Sequence, residues 1–170
     1  TKASVVAETK EIAAPWPNEE DLFVAVSSLY DDQLKPYLRI LKKRLAERQP
    51  NEQTDADLNV AHLYSLCRDS PRLSLQLDGC SDCFMLLSGR AADFVDVHSP
   101  VDVYPAQLWE EAARFFQSPE GSVMEMPGGR YACAKALTAY DLPFLHGNSL
   151  GQVCHITQLA ISQKKILGYS

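Results

Sequence analysis

At Leu73 the hydrophobic period of this chain changes, and the change limits the folds open to it. The stretch "RLSLQLDGCSDCFMLLSGR" alternates Leu73, Leu75 and Leu77 with Ser74 and Gln76. Asp78-Gly79 then marks a turn, and Phe84–Leu87 forms a second apolar strand. Upstream the apolar residues recur at helical spacing instead. Three helices followed by a hairpin is the order of a winged helix.

Each helix has its own start signal. In "APWPNEEDLFVAVSSLY", Asn18 suits an N-cap and Glu19, Glu20 and Asp21 a first turn, where the helix dipole favours negative charge. Leu22, Val26, Leu29 and Tyr30 follow at i, i+4, i+7 and i+8. The second helix carries Leu34, Leu38, Leu41 and Leu45, and it must start close to Pro36. The third follows a capping-box-like Thr54…Asp57, places Val60, Leu63, Tyr64 and Cys67 at i, i+3, i+4 and i+7, and ends before Ser70-Pro71.

Beyond "VHSPVDVYP", Pro105 suits the first turn of a fourth helix with Leu108, Ala112 and Phe115 on one stripe. "SVMEMPGGRYACAKAL" reads as two short strands about Pro127-Gly128-Gly129. A last helix, capped by Asn148 or Ser149, runs from about Leu150 to Lys165. The predicted fold class is α+β and helix-rich: a winged-helix-like three-helix unit with a β-hairpin, then helix–hairpin–helix. The expected organisation is a disordered N-terminal segment over 1–17, a winged-helix-like domain over 18–90, a connector over 91–104 and a helix–hairpin–helix subdomain over 105–170, cut from a longer protein and truncated at its C-terminus.

At 170 residues the chain can bury a real core without staples. The five cysteines are odd in number and scattered, unlike a secreted disulfide framework, and no apolar run is long enough for a membrane helix. An intracellular protein, nuclear or cytoplasmic, with no membrane partner is the expectation.

Charge is unevenly spread. Residues 35–48 hold six bases, Lys35, Arg39, Lys42, Lys43, Arg44 and Arg48, against Glu47; this local +5 leaves −11 on the rest of a chain whose net charge is −6. Lys35, Arg39, Lys42 and Lys43 fall on one helical face along which a phosphate backbone could lie. A solvated face balanced by acids elsewhere is the plainer alternative. The C-terminal "LHGNSLGQVCHITQLAISQKKILGYS" has no acid at all. Gln152 and His155 on the last helix could read base edges, with Lys164 and Lys165 beyond it, but a buried helix with polar caps would look the same.

Catalytic and metal signals are thin. Cys80 and Cys83 form the only C-x-x-C, a zinc pair lacking a second paired spacing, so no cofactor is expected. Cys154-His155 are sequence neighbours that point about 100° apart on a helix, which argues against a dyad. A cysteine-dependent enzyme would need Cys133 or Cys154 to face His146 or His98. No catalytic residue is assigned.

In layout, "LYSLCRDSPRLSLQLDGCSDCFMLL" resembles the LOTUS (OST-type helix-turn-helix) variety of winged helix, in which a third helix leads through a short turn into a β-wing. The resemblance implies RNA binding and recruitment of RNA helicases in RNA-regulatory proteins. The expected role is thus a non-catalytic module binding RNA or DNA in a regulatory protein. A protein-interaction scaffold is the alternative, and the oligomeric state is open.

Overall fold

The computed structural model describes residues 16–49, 58–79 and 82–167. Among these the chain is α+β. Helices α1 (Glu19–Asp31), α2 (Leu38–Arg48) and α3 (Val60–Asp69) lead into strands β1 (Leu73–Asp78) and β2 (Asp82–Leu87). Then come α4 (Ala106–Gln117), the short α5 (Pro119–Ser122), α6 (Arg130–Ala139), a 3-10 turn (Pro143–Leu145) and α7 (Leu150–Ser162). Two compact units result: Thr1–Leu29 with Pro36–Ala91, and Tyr30–Lys35 with Ala92–Ser170.

In the first unit, α1 begins at a reciprocal cap. The Asn18 side-chain oxygen accepts from the Asp21 N–H at 2.8 Å, and the Asp21 carboxylate accepts from the Asn18 N–H at 2.9 Å. Two backbone donors that a helix end leaves without partners are thereby satisfied. Pro17, just before this cap, is buried, and its carbonyl accepts from His62 Nε2 at 2.8 Å.

The core of this unit is Leu22, Val26 and Leu29 of α1, Leu41 and Leu45 of α2, and Leu63, Cys67 and Met85 beyond them. Leu38 is only half-buried. Among the described lysines and arginines, only Arg44 is buried, at 6% exposure, where it donates to Ser28 Oγ at 2.9 Å and lies 3.5 Å from Glu47. Below α3, Ser70 and Arg72 both bond Glu19, and Arg72 also reaches Glu20 at 2.8 Å and lies over the Phe23 ring. These contacts tie the start of α1 to the turn between α3 and β1.

α3 is capped by Asn59, whose side chain accepts from the His62 N–H at 3.0 Å; the expected Thr54…Asp57 box lies outside the described residues. Its buried face is narrower than the sequence spacing implies. Leu63 and Cys67 are inside, but Val60 and Tyr64, expected on the same stripe, are 58% and 44% exposed. The hairpin pairs Leu73 with Leu87 and Leu75 with Met85, which puts these four on one face, as the alternation implies. Leu77, opposite Cys83 on that face, runs beyond the core and is 79% exposed.

The second unit is built from segments distant in sequence. Val95 donates to the Gln33 carbonyl at 2.9 Å, and the Phe94 ring meets Tyr30 edge-on with centroids 4.8 Å apart. The Gly151 N–H donates to the Asp32 carbonyl at 2.8 Å, and a Cβ there would stand 2.5 Å from the Gln33 carbonyl oxygen. Only glycine allows α7 to start that close to the 30–35 turn. Leu108 and Ala112 of α4 face inward, as their spacing predicts, with Trp109 buried beside them and Phe115, expected on the same stripe, only half-buried.

The second expected hairpin is not a hairpin. Met124–Pro127 is irregular, and "RYACAKALTA" forms helix α6, with Tyr131, Cys133, Ala134 and Leu137 buried. Tyr131 and Cys133 mimic strand alternation, but Ala134 and Leu137 continue at helical spacing. Four alanines with Lys135 and Leu137 give the segment strong helix propensity.

Candidate nucleic-acid interface

The basic residues of α2 sit differently from one another. Arg39, Lys42 and Lys43, at i, i+3 and i+4, share the face opposite Leu41 and Leu45. Arg39 and Lys43 are exposed and Lys42 is half-buried. Lys35 precedes the helix and belongs to the second unit, so the four-lysine-and-arginine face read from the sequence loses its first member.

Around Arg39 the structure places four residues that sequence reading missed. The Arg39 guanidinium carbon lies 4.5 Å over the centre of the Tyr37 ring, and the group pairs with Asp82 at 3.2 Å. The Tyr37 hydroxyl donates to Asp78, and its ring meets Phe84 edge-on at 5.8 Å. Asp78 and Asp82 are cross-strand partners at the end of the hairpin, and the Tyr37 backbone bridges to Phe84. The available sequence signal was an aromatic residue two positions before the first arginine of a basic helix, in "KPYLRILKKR".

α7 is the opposite case. Of Gln152 and His155, expected to read bases, Gln152 is half-buried with its side-chain oxygen used in the helix cap, and His155 is buried. The Gln152 side chain accepts from the Ser149 N–H at 2.8 Å, while Ser149 Oγ accepts from the Gln152 N–H at 3.1 Å. This is a capping box, a helix-start device. His155 is 4% exposed, with Nε2 2.9 Å from the Ser99 carbonyl and Nδ1 2.8 Å from the Tyr104 hydroxyl. A carbonyl only accepts, so Nε2 donates to Ser99, while the Tyr104 hydroxyl lies between Nδ1 and the Gln152 carbonyl, 3.4 Å away. Burial raises the Tyr104 phenol to about 12.

Lys164 and Lys165 follow α7. Lys164 pairs with Asp102 at 3.0 Å and lies 5.2 Å over the Trp109 ring. Burial pushes the Asp102 carboxyl upward, but bonds from Lys164 and the Tyr104 N–H outweigh it and hold the group below the usual range. Lys165 is exposed, at a positive φ of 56°. The eight residues expected to bind nucleic acid thus divide: Arg39, Lys42 and Lys43 lie in the first unit, and Lys35, Gln152, His155, Lys164 and Lys165 in the second.

The α3 and wing region, with which winged helices commonly read DNA, has no excess of positive charge. Arg68 pairs with Asp69 at 3.1 Å, Arg72 with Glu19 and Glu20, and Arg90 reaches the Ser27 carbonyl at 3.4 Å. Of the zinc candidates, Cys80 lies outside the described residues and Cys83 is half-buried in β2; no group of three potential metal ligands occurs among the described residues. Burial raises the thiols of Cys67 and Cys154 to about 12 and those of Cys83 and Cys133 above their ordinary value. Among the described residues, no helix is long and apolar enough to cross a membrane.

Comparison with known families covers most of the chain. The model of a Domain of unknown function (DUF7602) matches residues 7–94, from before α1 to beyond β2. The chain belongs to this family. Within this DUF7602 member, the OST-HTH Associated domain matches residues 121–170, which hold α6, the 3-10 turn and α7. The second match links the chain to OST-HTH, or LOTUS, proteins, through the half of the sequence opposite to the one whose layout suggested them. No curated protein and no solved structure matches the chain.

Proposed function

We propose that this chain is a non-catalytic, RNA-binding module of a regulatory protein. The observation that carries the reading is the outer face of α2, where Arg39, Lys42 and Lys43 gather on a chain of net charge −6. Local field, rather than net charge, steers a polyanion to a surface. The link to OST-HTH proteins favours RNA over DNA, and so does the pairing of Arg68, Arg72 and Arg90 within the protein. The thiols support a non-catalytic role, because a cysteine nucleophile needs a thiolate near neutral pH and burial opposes one at Cys67, Cys83, Cys133 and Cys154.

A second reading, a protein partner, has its own support: Val60 and Tyr64 lie exposed one turn apart on α3. A fluorescence-anisotropy titration with short single-stranded RNA at low and physiological salt separates the two. Phosphate contacts by Lys42 and Lys43 give a slope of log K against log salt of about −1.4 on a single strand. Reversal of Lys42 and Lys43 to Glu should abolish most of that slope. Full affinity in the double variant would remove α2 from the interface, and no binding by the parent chain would leave the α3 surface and a protein partner.

A further inference from the structure

The geometry points to a base-stacking platform at the junction of α2 and the β-wing, made by Arg39 on Tyr37, which selects single-stranded over duplex RNA. This inference deepens the RNA reading and rests on it.

Bases of a single strand can splay out and stack on aromatic rings or on a guanidinium plane, whereas those of a duplex are hidden in the helix. At Arg39 such a plane is already assembled. Its guanidinium lies 4.5 Å over the Tyr37 ring, held sideways by Asp82 at 3.2 Å. Tyr37 is fixed in turn by its bond to Asp78 and by the edge of Phe84. Two carboxylates of the wing therefore orient the two layers, and neither layer must be ordered when a base arrives. The Arg39 side chain remains 50% exposed.

The arrangement also sets which edge of the bound strand faces the wing. Asp82 offsets the Arg39 charge, so Arg39 contributes a flat surface more than a phosphate contact. Asp78 and Asp82 repel phosphate on the wing side. Lys42 and Lys43 attract it about 5–6 Å further along the helix. Bases thus lie toward the wing and phosphates toward α2, an order that a duplex, with phosphates outside on both strands, does not offer to one small surface.

Arg39→Lys is the decisive variant, because it keeps the charge and removes the plane. The measurement is an anisotropy titration of the whole chain with a 5′-labelled twelve-nucleotide oligouridylate and with a twelve-base-pair RNA duplex, with circular dichroism confirming the fold. The expected result is preference of the parent for the single strand, a loss of about 10-fold in Arg39→Lys, and an unchanged salt slope. Equal affinity for the two RNAs, or an Arg39→Lys variant that binds the single strand like the parent, overturns the platform while the RNA reading stands. Absence of binding to either RNA by the parent overturns both.

Discussion

α2 and α7 invite the same functional reading and differ in what surrounds them. Both carry polar side chains among leucines and isoleucines. α2 buries only Leu41, Arg44 and Leu45, a single stripe, and turns the rest of its surface to solvent or half-cover. α7 has nine of its thirteen residues buried, so its polar groups, His155 and Thr157 included, must find partners inside. They do: Thr157 Oγ1 donates to the Val153 carbonyl at 2.8 Å, and His155 spends both nitrogens. Polar side chains on a helix are open to a ligand only where the helix has an uncovered side.

Several variants would break or sharpen this contrast. Truncating a core leucine costs about 2–5 kcal/mol in either helix, for Leu41→Ala and Leu159→Ala alike, in urea unfolding. A cost below about 1 kcal/mol in one of them would mean that its helix is less enclosed than described. His155→Ala should cost about 2–3 kcal/mol, because it strands the Ser99 carbonyl and empties the space beside Tyr104. If that variant instead melted like the parent but lost RNA affinity, α7 would be a surface after all. Gly151→Ala, which drives a Cβ into the Gln33 carbonyl, should cost about 1–3 kcal/mol by the same measurement.

On α2 the expected pattern reverses. Lys42→Glu with Lys43→Glu should stay within about 0.5 kcal/mol of the parent in stability while lowering RNA affinity at least about tenfold. The smallest effect is on acid stability. The Arg72 guanidinium holds the Glu19 carboxyl below its ordinary value, so this pair stabilises the fold above the unfolded carboxylate range and is lost as pH falls through the folded value. Melting temperature followed from pH 7 downward should fall less steeply in Glu19→Gln than in the parent. Parallel curves would show that Glu19 adds nothing to the acid limb.

Much of the first unit was legible because each of its elements repeats one period long enough to be read. Asn18 with its acidic first turn marked α1, and Leu73, Leu75 and Leu77 marked β1. α6 was misread because Tyr131 and Cys133 beside Gly128-Gly129 fit a short strand as well as a helix, and a brief apolar run does not decide between them. The burial of His155 was hidden for another reason. Its partners, Ser99 and Tyr104, lie 56 and 51 positions away, in a stretch taken for a connector. The Tyr37–Arg39–Asp82 cluster was invisible because Asp82 stands 43 residues beyond Arg39 and meets it only once the hairpin has folded.

The contact between Gly151 and the 30–35 turn bears on how such a protein is inherited and made. The second unit draws Tyr30–Lys35 from the middle of the sequence that otherwise forms the first. A gene segment beginning at Ala92 would therefore not carry a complete cassette: α7 would start against nothing, and Phe94 would lack Tyr30. During synthesis the 30–35 turn leaves the ribosome long before Gly151 does. The second unit must wait for α7 to close over a piece of chain made well before it.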